Sequence, residues 1–161
     1  MADAYVTGLR MLARRELSEA QVRQRLTRKE FHPEEIDAAV ERLRSTRSLD
    51  DRRTALACAR TEALVKRRGR LRVLRQVESL GVGRDIARAA VAEVFADVDE
   101  DATIENAIDR RLRGADTSHP TPAALRRVQQ YLLRQGFDTG KVTAAIRRRA
   151  RSHANHDANH E

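Results

Sequence analysis

From Lys66 to Arg75 the chain reads KRRGRLRVLR, six cations with no acid between them. A guanidinium presents a planar fork of donors that matches carboxylates and phosphates in a bidentate manner. The run is therefore the leading candidate for contact with an acidic protein surface or a nucleic-acid backbone. On a helix, Arg68, Arg72 and Arg75 line one side, opposite Val73, Val77 and Leu80. A second basic run, Arg147, Arg148, Arg149 and Arg151, closes the last apolar-periodic segment. The plain alternative is a solvated helix face with incidental arginine. The functional reading is a main contact made by Arg67, Arg68, Arg70, Arg72 and Arg75, with Arg147, Arg148 and Arg149 secondary.

Other chemistry is sparse. Gly81-Val-Gly83 lacks a third glycine and a preceding strand, so it does not make a phosphate-cradling loop. His32 and His119 sit beside prolines without a carboxylate or thiol set, and His153, His156 and His160 fall in a polar end segment. Cys58 lies between Ala57 and Ala59 on an expected helix, where a small buried hydrophobe is expected rather than a nucleophile. Acids gather at helix starts and between Asp97 and Asp101, where capping and solvation account for them. The expectation is a non-enzyme without metal, cofactor or small-molecule substrate.

Composition narrows the classes further. The 161 residues carry 32 Lys+Arg against 24 Asp+Glu, a formal net charge of +8. Residues 1–48 hold 10 basic and 8 acidic groups, residues 49–95 hold 11 and 6, and residues 96–161 hold 11 and 10, so the excess is concentrated in the middle. Aromatics are 3% and Trp is absent, which calls for an aliphatic core. No run of about 18 apolar residues crosses a membrane. The start MADAYVTGLR has no signal-peptide pattern, and one cysteine forms no internal disulfide, so a reducing cytoplasm is the expected setting. Phe31 and Phe137 are assigned to turn cores, which argues against a base-stacking platform. A helix-turn-helix reader of duplex DNA stays open, with Gln129-Gln130 the nearest approach to base-edge chemistry.

The elements that must carry these residues are helical. Ser18-Glu-Ala-Gln21 is a capping box, Pro33-Glu34-Glu35 a helix start, Asp50-Asp51 a cap, and Thr121-Pro122 a further start. Val22, Leu26, Phe31, Ile36 and Val40 recur 51 residues on as Val73, Val77, Val82, Ala87 and Val91. They recur another 55 on as Val128, Leu132, Phe137, Val142 and Ile146. All fifteen positions are apolar; Ala87 is the smallest, with Ile86 beside it expected to do its packing. This is an internal repeat. Gly81 and Gly136 can end the preceding helix in a left-handed conformation, letting Val82 or Phe137 fold back on Val77 or Leu132. Glu30 holds the glycine's place in the first copy, which leaves room for a different turn there. A further helix precedes each pair, near 4–14, 51–65 and 101–113. The expected fold is all-α without a sheet: an elongated, curved tandem array of three three-helix repeats. Their expected bounds are 1–48, 49–96 and 101–151, with loose connections at 97–101 and 114–122 and a disordered tail over 152–161.

These residues resemble a known family. Arg14-Arg15-Glu16-Leu17-Ser18 is similar to the opening "RR-x-[aromatic or Leu]-S" of RecX proteins. Leu49-Asp50-Asp51 with Ala55 is similar to their "L-x-D…A" segment. Arg68-Gly69 through Leu80-Gly81-Val82 is similar to "KG-x-x-x-I-x-x-x-L-x-x-x-G-I", and Tyr131 through Phe137 to "L-x-x-[RK]-G-[FY]". The motifs run in order over residues 4–150. Departures stand at Glu30, Thr54, Arg68 and Gln135, where the family usually has Gly, an aromatic, Lys, and Arg or Lys. The resemblance implies a cytoplasmic regulator of RecA recombinase in DNA repair, recombination and the SOS response. Such a protein binds RecA filaments on DNA and restrains strand exchange, ATPase and coprotease activity. Its implied partners are the RecA filament and DNA, contacted directly or through RecA. The competing reading is a basic helical DNA- or RNA-binding protein with no RecA role.

Overall fold

The computed structural model describes residues 3–113 and 120–157. Among them are nine α-helices and no strand: α1 (Ala4–Leu12), α2 (Glu19–Arg28), α3 (Pro33–Ser45), α4 (Asp51–Arg60), α5 (Arg70–Glu78), α6 (Arg84–Phe95), α7 (Glu100–Leu112), α8 (Pro122–Arg134) and α9 (Thr139–Asp157). A single π-helical turn, Thr61–Val65, prolongs α4. The starts follow local chemistry, because the first N–H groups of a helix have no partner inside it. Ser18 caps α2 in a reciprocal box with Gln21, and the side chains of Asp50, Asp99 and Thr121 accept from Arg53, Ala102 and Ala124 N–H.

Three separate hydrophobic clusters form, each from three consecutive helices. The first unit buries Val22, Leu26, Ile36 and Val40 together with Leu17, Leu43 and Leu49. The second buries Val73, Val77, Val82, Ala87 and Val91, and the third Val128, Leu132, Phe137 and Val142. Phe31 and Ile146 are only half-buried at the edges of their clusters. Ala87 is fully buried and Ile86 lies at the rim, so the small residue is itself the core position.

The turn of the first pair does not differ. Glu30 adopts φ 63°, beside Gly81 at 78° and Gly136 at 87°. Phe31 N–H donates to Leu26 O at 3.3 Å and Glu30 N–H to Thr27 O at 2.9 Å, the same pattern as Phe137 to Leu132 and Gly136 to Leu133. An L-residue reaches this region at a cost that the surrounding contacts offset. One connection also differs from expectation. Asp99 caps α7, so residues 97–101 form a short ordered link; residues 114–119, within the other expected loose stretch, lie outside the described residues. The tail expected from Ser152 is helical through Asp157, while residues 158–161 lie outside the described residues.

The first and second units meet through polar groups. Ser18 Oγ, fully buried, accepts from Gln21 N–H and donates to Leu80 O at the end of α5. Asp51 accepts from Glu19 N–H at 2.8 Å; Thr54 Oγ1 donates to Leu17 O at 3.3 Å; Arg53 pairs with Glu16 at 2.9 Å. Gly81 is held close, since an added Cβ would lie 2.7 Å from that of Ala20. Relieving the strained first turn gives a direct check. Glu30→Gly is expected to raise stability by about 0.5–1 kcal/mol, the left-handed penalty less glycine's entropy cost, read as a higher denaturation midpoint.

Candidate functional site

The segment from Thr61 to Arg75 leaves α4, makes its π turn, and enters α5 against the third unit. Arg67 takes φ 53°, closing the turn as Arg68 N–H donates to Glu62 O at 3.0 Å. Glu62 is buried and holds two cations, Lys66 Nζ at 2.6 Å and the Arg68 guanidinium. A buried carboxylate needs such partners because water is not there to solvate it. Arg68 therefore precedes the helix and points to Glu62, instead of sharing an outer face of α5 with Arg72 and Arg75.

Gly69 starts α5 by docking on the end of α8. Its N–H donates to Gln135 O at 2.8 Å, and Leu71 N–H donates to Gly136 O at 3.1 Å. Carbonyls at a helix C-terminus lack intrahelical partners, and here the N-terminal donors of another helix meet them head to tail. A Cβ on Gly69 would fall on the backbone of Gly136 and Phe137, and one on Gly136 would fall on Arg72. Arg72 is half-buried in this junction, donating to Gln135 Oε1 at 3.2 Å and Arg134 O at 3.4 Å.

The remaining expected contact residues divide into two groups. Arg70 stands over the Phe95 ring at 4.9 Å and 3.8 Å from Glu100, which also binds Lys141 at 3.1 Å. Arg148 and Arg149 pair with Glu105, and Arg149 with Asp109 at 2.5 Å, tying α9 to α7. By contrast, Arg67, Arg75 and Arg147 are exposed and enter no ion pair among the described residues. The five main arginines thus lie on one continuous segment, the Arg147–Arg149 group lies on α9, and five of the eight are held by the protein's own groups.

Three residues escaped the sequence reading. Leu64, Val65 and Leu71 are 56%, 74% and 51% exposed and flank Arg67. They fall outside the repeat register, and an apolar residue off the core face is the signal that marks them. Cys58 is half-buried on the second core, and burial first, then the charge of Glu62, pushes its thiol above the usual range. Among the described residues no group of three or more His, Cys, Asp or Glu converges, and no helix is long and apolar enough to cross a membrane.

The glycine junction makes a sharp prediction for the whole segment. Gly69→Ala should cost about 2 kcal/mol or more through overpacking and lost inter-unit hydrogen bonds. Gly83→Ala, whose Cβ would meet nothing nearer than Ile86 Cδ1 at 3.9 Å, should cost less than about 1 kcal/mol in the same denaturant titration.

Comparison with known proteins bears on this architecture. The model of the RecX first three-helix domain matches residues 4–43. The regulatory protein RecX of Syntrophotalea carbinolica is 33% identical over 135 residues, 84% of this chain and 88% of that protein. That of Trichlorobacter lovleyi is 32% identical over 139 residues, with the same coverages of 84% and 88%. The crystal structure of RecX from Lactobacillus salivarius shares the fold, with a TM-score of 0.79 at 17% identity over 90% of this chain and 93% of that one. A second RecX crystal structure gives 0.75 at 20% identity over 89% of this chain and 70% of that one. With its first three helices matching the RecX domain model and most of its length aligned to regulatory RecX proteins, this chain belongs to the RecX family.

Proposed function

We propose that this protein acts without catalysis of its own, binding RecA filaments assembled on DNA in the cytoplasm and restraining RecA's recombinase, ATPase and coprotease activities. Alignment over most of the chain with proteins named regulatory protein RecX carries this reading. The surface around the π turn supports a protein partner. Exposed Leu64, Val65 and Leu71 supply apolar area beside Arg67 and Arg75, and apolar anchors rimmed by arginine are the composition of protein interfaces. Arg72 contributes from the edge of the junction, and Arg147 from α9. Arg68 and Arg70 hold the segment in place through Glu62, Phe95 and Glu100. Units joined in series suit a partner that is itself a repeating filament, with successive units reaching adjacent subunits along its groove.

The test is co-sedimentation with RecA–single-stranded-DNA filaments, alongside RecA ATPase measured with rising amounts of this protein. The wild-type chain should be retained on filaments more strongly than on bare DNA and should lower ATPase. Arg67→Glu combined with Arg75→Glu should weaken both effects at least tenfold with helicity intact, whereas reversing Arg68 would set a second carboxylate against Glu62 and unfold the segment. Equal retention on bare DNA and on filaments, with ATPase untouched, would instead favour a basic nucleic-acid-binding protein with no RecA role.

A further inference from the structure

A concave surface lies in the first unit, away from both basic runs. It is lined by Thr7, Arg10, Met11, Arg14, Arg15, Arg25, Lys29 and Phe31, five cations and no acid. None of the five forms an ion pair among the described residues. Six of the eight acids of this unit are engaged elsewhere: Asp3 on the Tyr5 N–H, Glu19 and Asp37 on Arg23, Glu16 on Arg53, Glu41 on Arg44, and Glu35 on the His32 N–H; Glu30 and Glu34 are exposed and do not line the groove. That engagement hides the site from a charge count, since residues 1–48 carry 10 basic groups against 8 acidic ones.

The third unit contains the equivalent groove, and the comparison shows what is unusual. Thr103, Ala107, Arg110 and Arg111 stand 96 residues after Thr7, Met11, Arg14 and Arg15, and Tyr131, Gln135 and Phe137 stand 106 after Arg25, Lys29 and Phe31. In the third unit the groove is closed by Val65, Lys66 and Arg67 of the second, and Gln135 O and Gly136 O receive the N–H groups of Gly69 and Leu71. Arg111 rests over the Tyr131 ring at 3.4 Å. In the first unit the corresponding position is open, Lys29 O and Glu30 O receive no backbone donor among the described residues, and Arg25 replaces the tyrosine opposite Arg15. Cations converge where the third unit pairs a cation with an aromatic ring. Convergence of like charge is unfavourable until an anion enters.

We infer that this groove binds the phosphodiester backbone of an unpaired nucleic-acid strand. Five cations spread over α1, its following turn and α2 exceed what one phosphate can neutralise, whereas a strand presents phosphates in series. Between them lie the half-buried Met11 and Phe31; Phe31 packs on the first core as expected, yet its outer side lines the groove, so the two offer an apolar floor on which a splayed base stacks. A duplex keeps its bases stacked inside and cannot use that floor. An acidic peptide would satisfy the charge and leave the ring without a planar partner. The site requires no RecA, so its test is separate from that of the preceding proposal.

The full chain is titrated into a fluorescent single-stranded oligonucleotide, with anisotropy read at several salt concentrations. Arg14 and Arg15 are exposed and outside helices, so the variant R14E/R15E should keep the circular dichroism of the parent. Its affinity should fall at least tenfold, and the slope of log affinity against log salt should shrink by about one or more. R84E/R88E on α6 makes the same charge change and should lose far less. Lys29→Gln, a milder change, should lose severalfold and guards against a folding defect in the double variant. A groove variant indistinguishable from the α6 control would overturn the assignment. So would equal competition by duplex of the same length, or competition by poly-glutamate of matched charge as strong as that by unlabelled single strand.

Discussion

The last carbonyls of an α-helix have no partner within it, and in this protein the neighbouring unit supplies one. Ser18 Oγ donates to Leu80 O, and Gly69 N–H donates to Gln135 O. These are corresponding positions, since Ser18 and Gly69 each cap the second helix of a unit and Leu80 and Gln135 each precede its left-handed turn. A unit of three short helices buries only a small aliphatic cluster, and its exposed helix ends would be costly alone. One hydrogen-bonded contact therefore finishes a helix end and sets the path from unit to unit.

The family motifs make sense in that light. The "RR-x-L-S" opening splits between two duties: Arg14 and Arg15 face the open groove, while Glu16, Leu17 and Ser18 build the joint to the second unit. Three of the four departures from the family pattern serve the scaffold, and the fourth strains it. Thr54 donates to Leu17 O, Arg68 neutralises buried Glu62, and Gln135 Oε1 accepts from Arg72, whereas Glu30 takes the glycine's turn at a cost. A substitution at a joint is tolerated when the new residue still presents the required donor, acceptor or backbone conformation.

Ion pairing separates structural arginine from arginine left for partners. With 32 cations in 161 residues, density says little about exposure of charge. Arg53, Arg68, Arg70 and Arg149 reach carboxylates on other helices or turns, and the net positive surface is what those pairs leave over. Exposed ion pairs of this kind add little stability individually, yet each decides which face keeps a free guanidinium.

The helices, their caps and the core positions were legible from local rules, because a period of 3.6, a capping side chain and a turn residue act within a few positions of one another. Val22, Val73 and Val128, or Ser18 with Gln21, needed no partner beyond their own segment to be recognised, and the family resemblance rests on the same short motifs. The free surface was not legible. Glu62 lies six residues before Arg68, Glu100 thirty beyond Arg70, and the groove of the first unit joins α1 to α2 across Phe31. Whether a charge is neutralised depends on which groups folding brings within a few ångströms, and sequence distance does not encode that separation. The sequence by itself determined an aliphatic, capped, repeating helical chain; only the tertiary structure decided which of its arginines hold that chain together and which face outward unpaired.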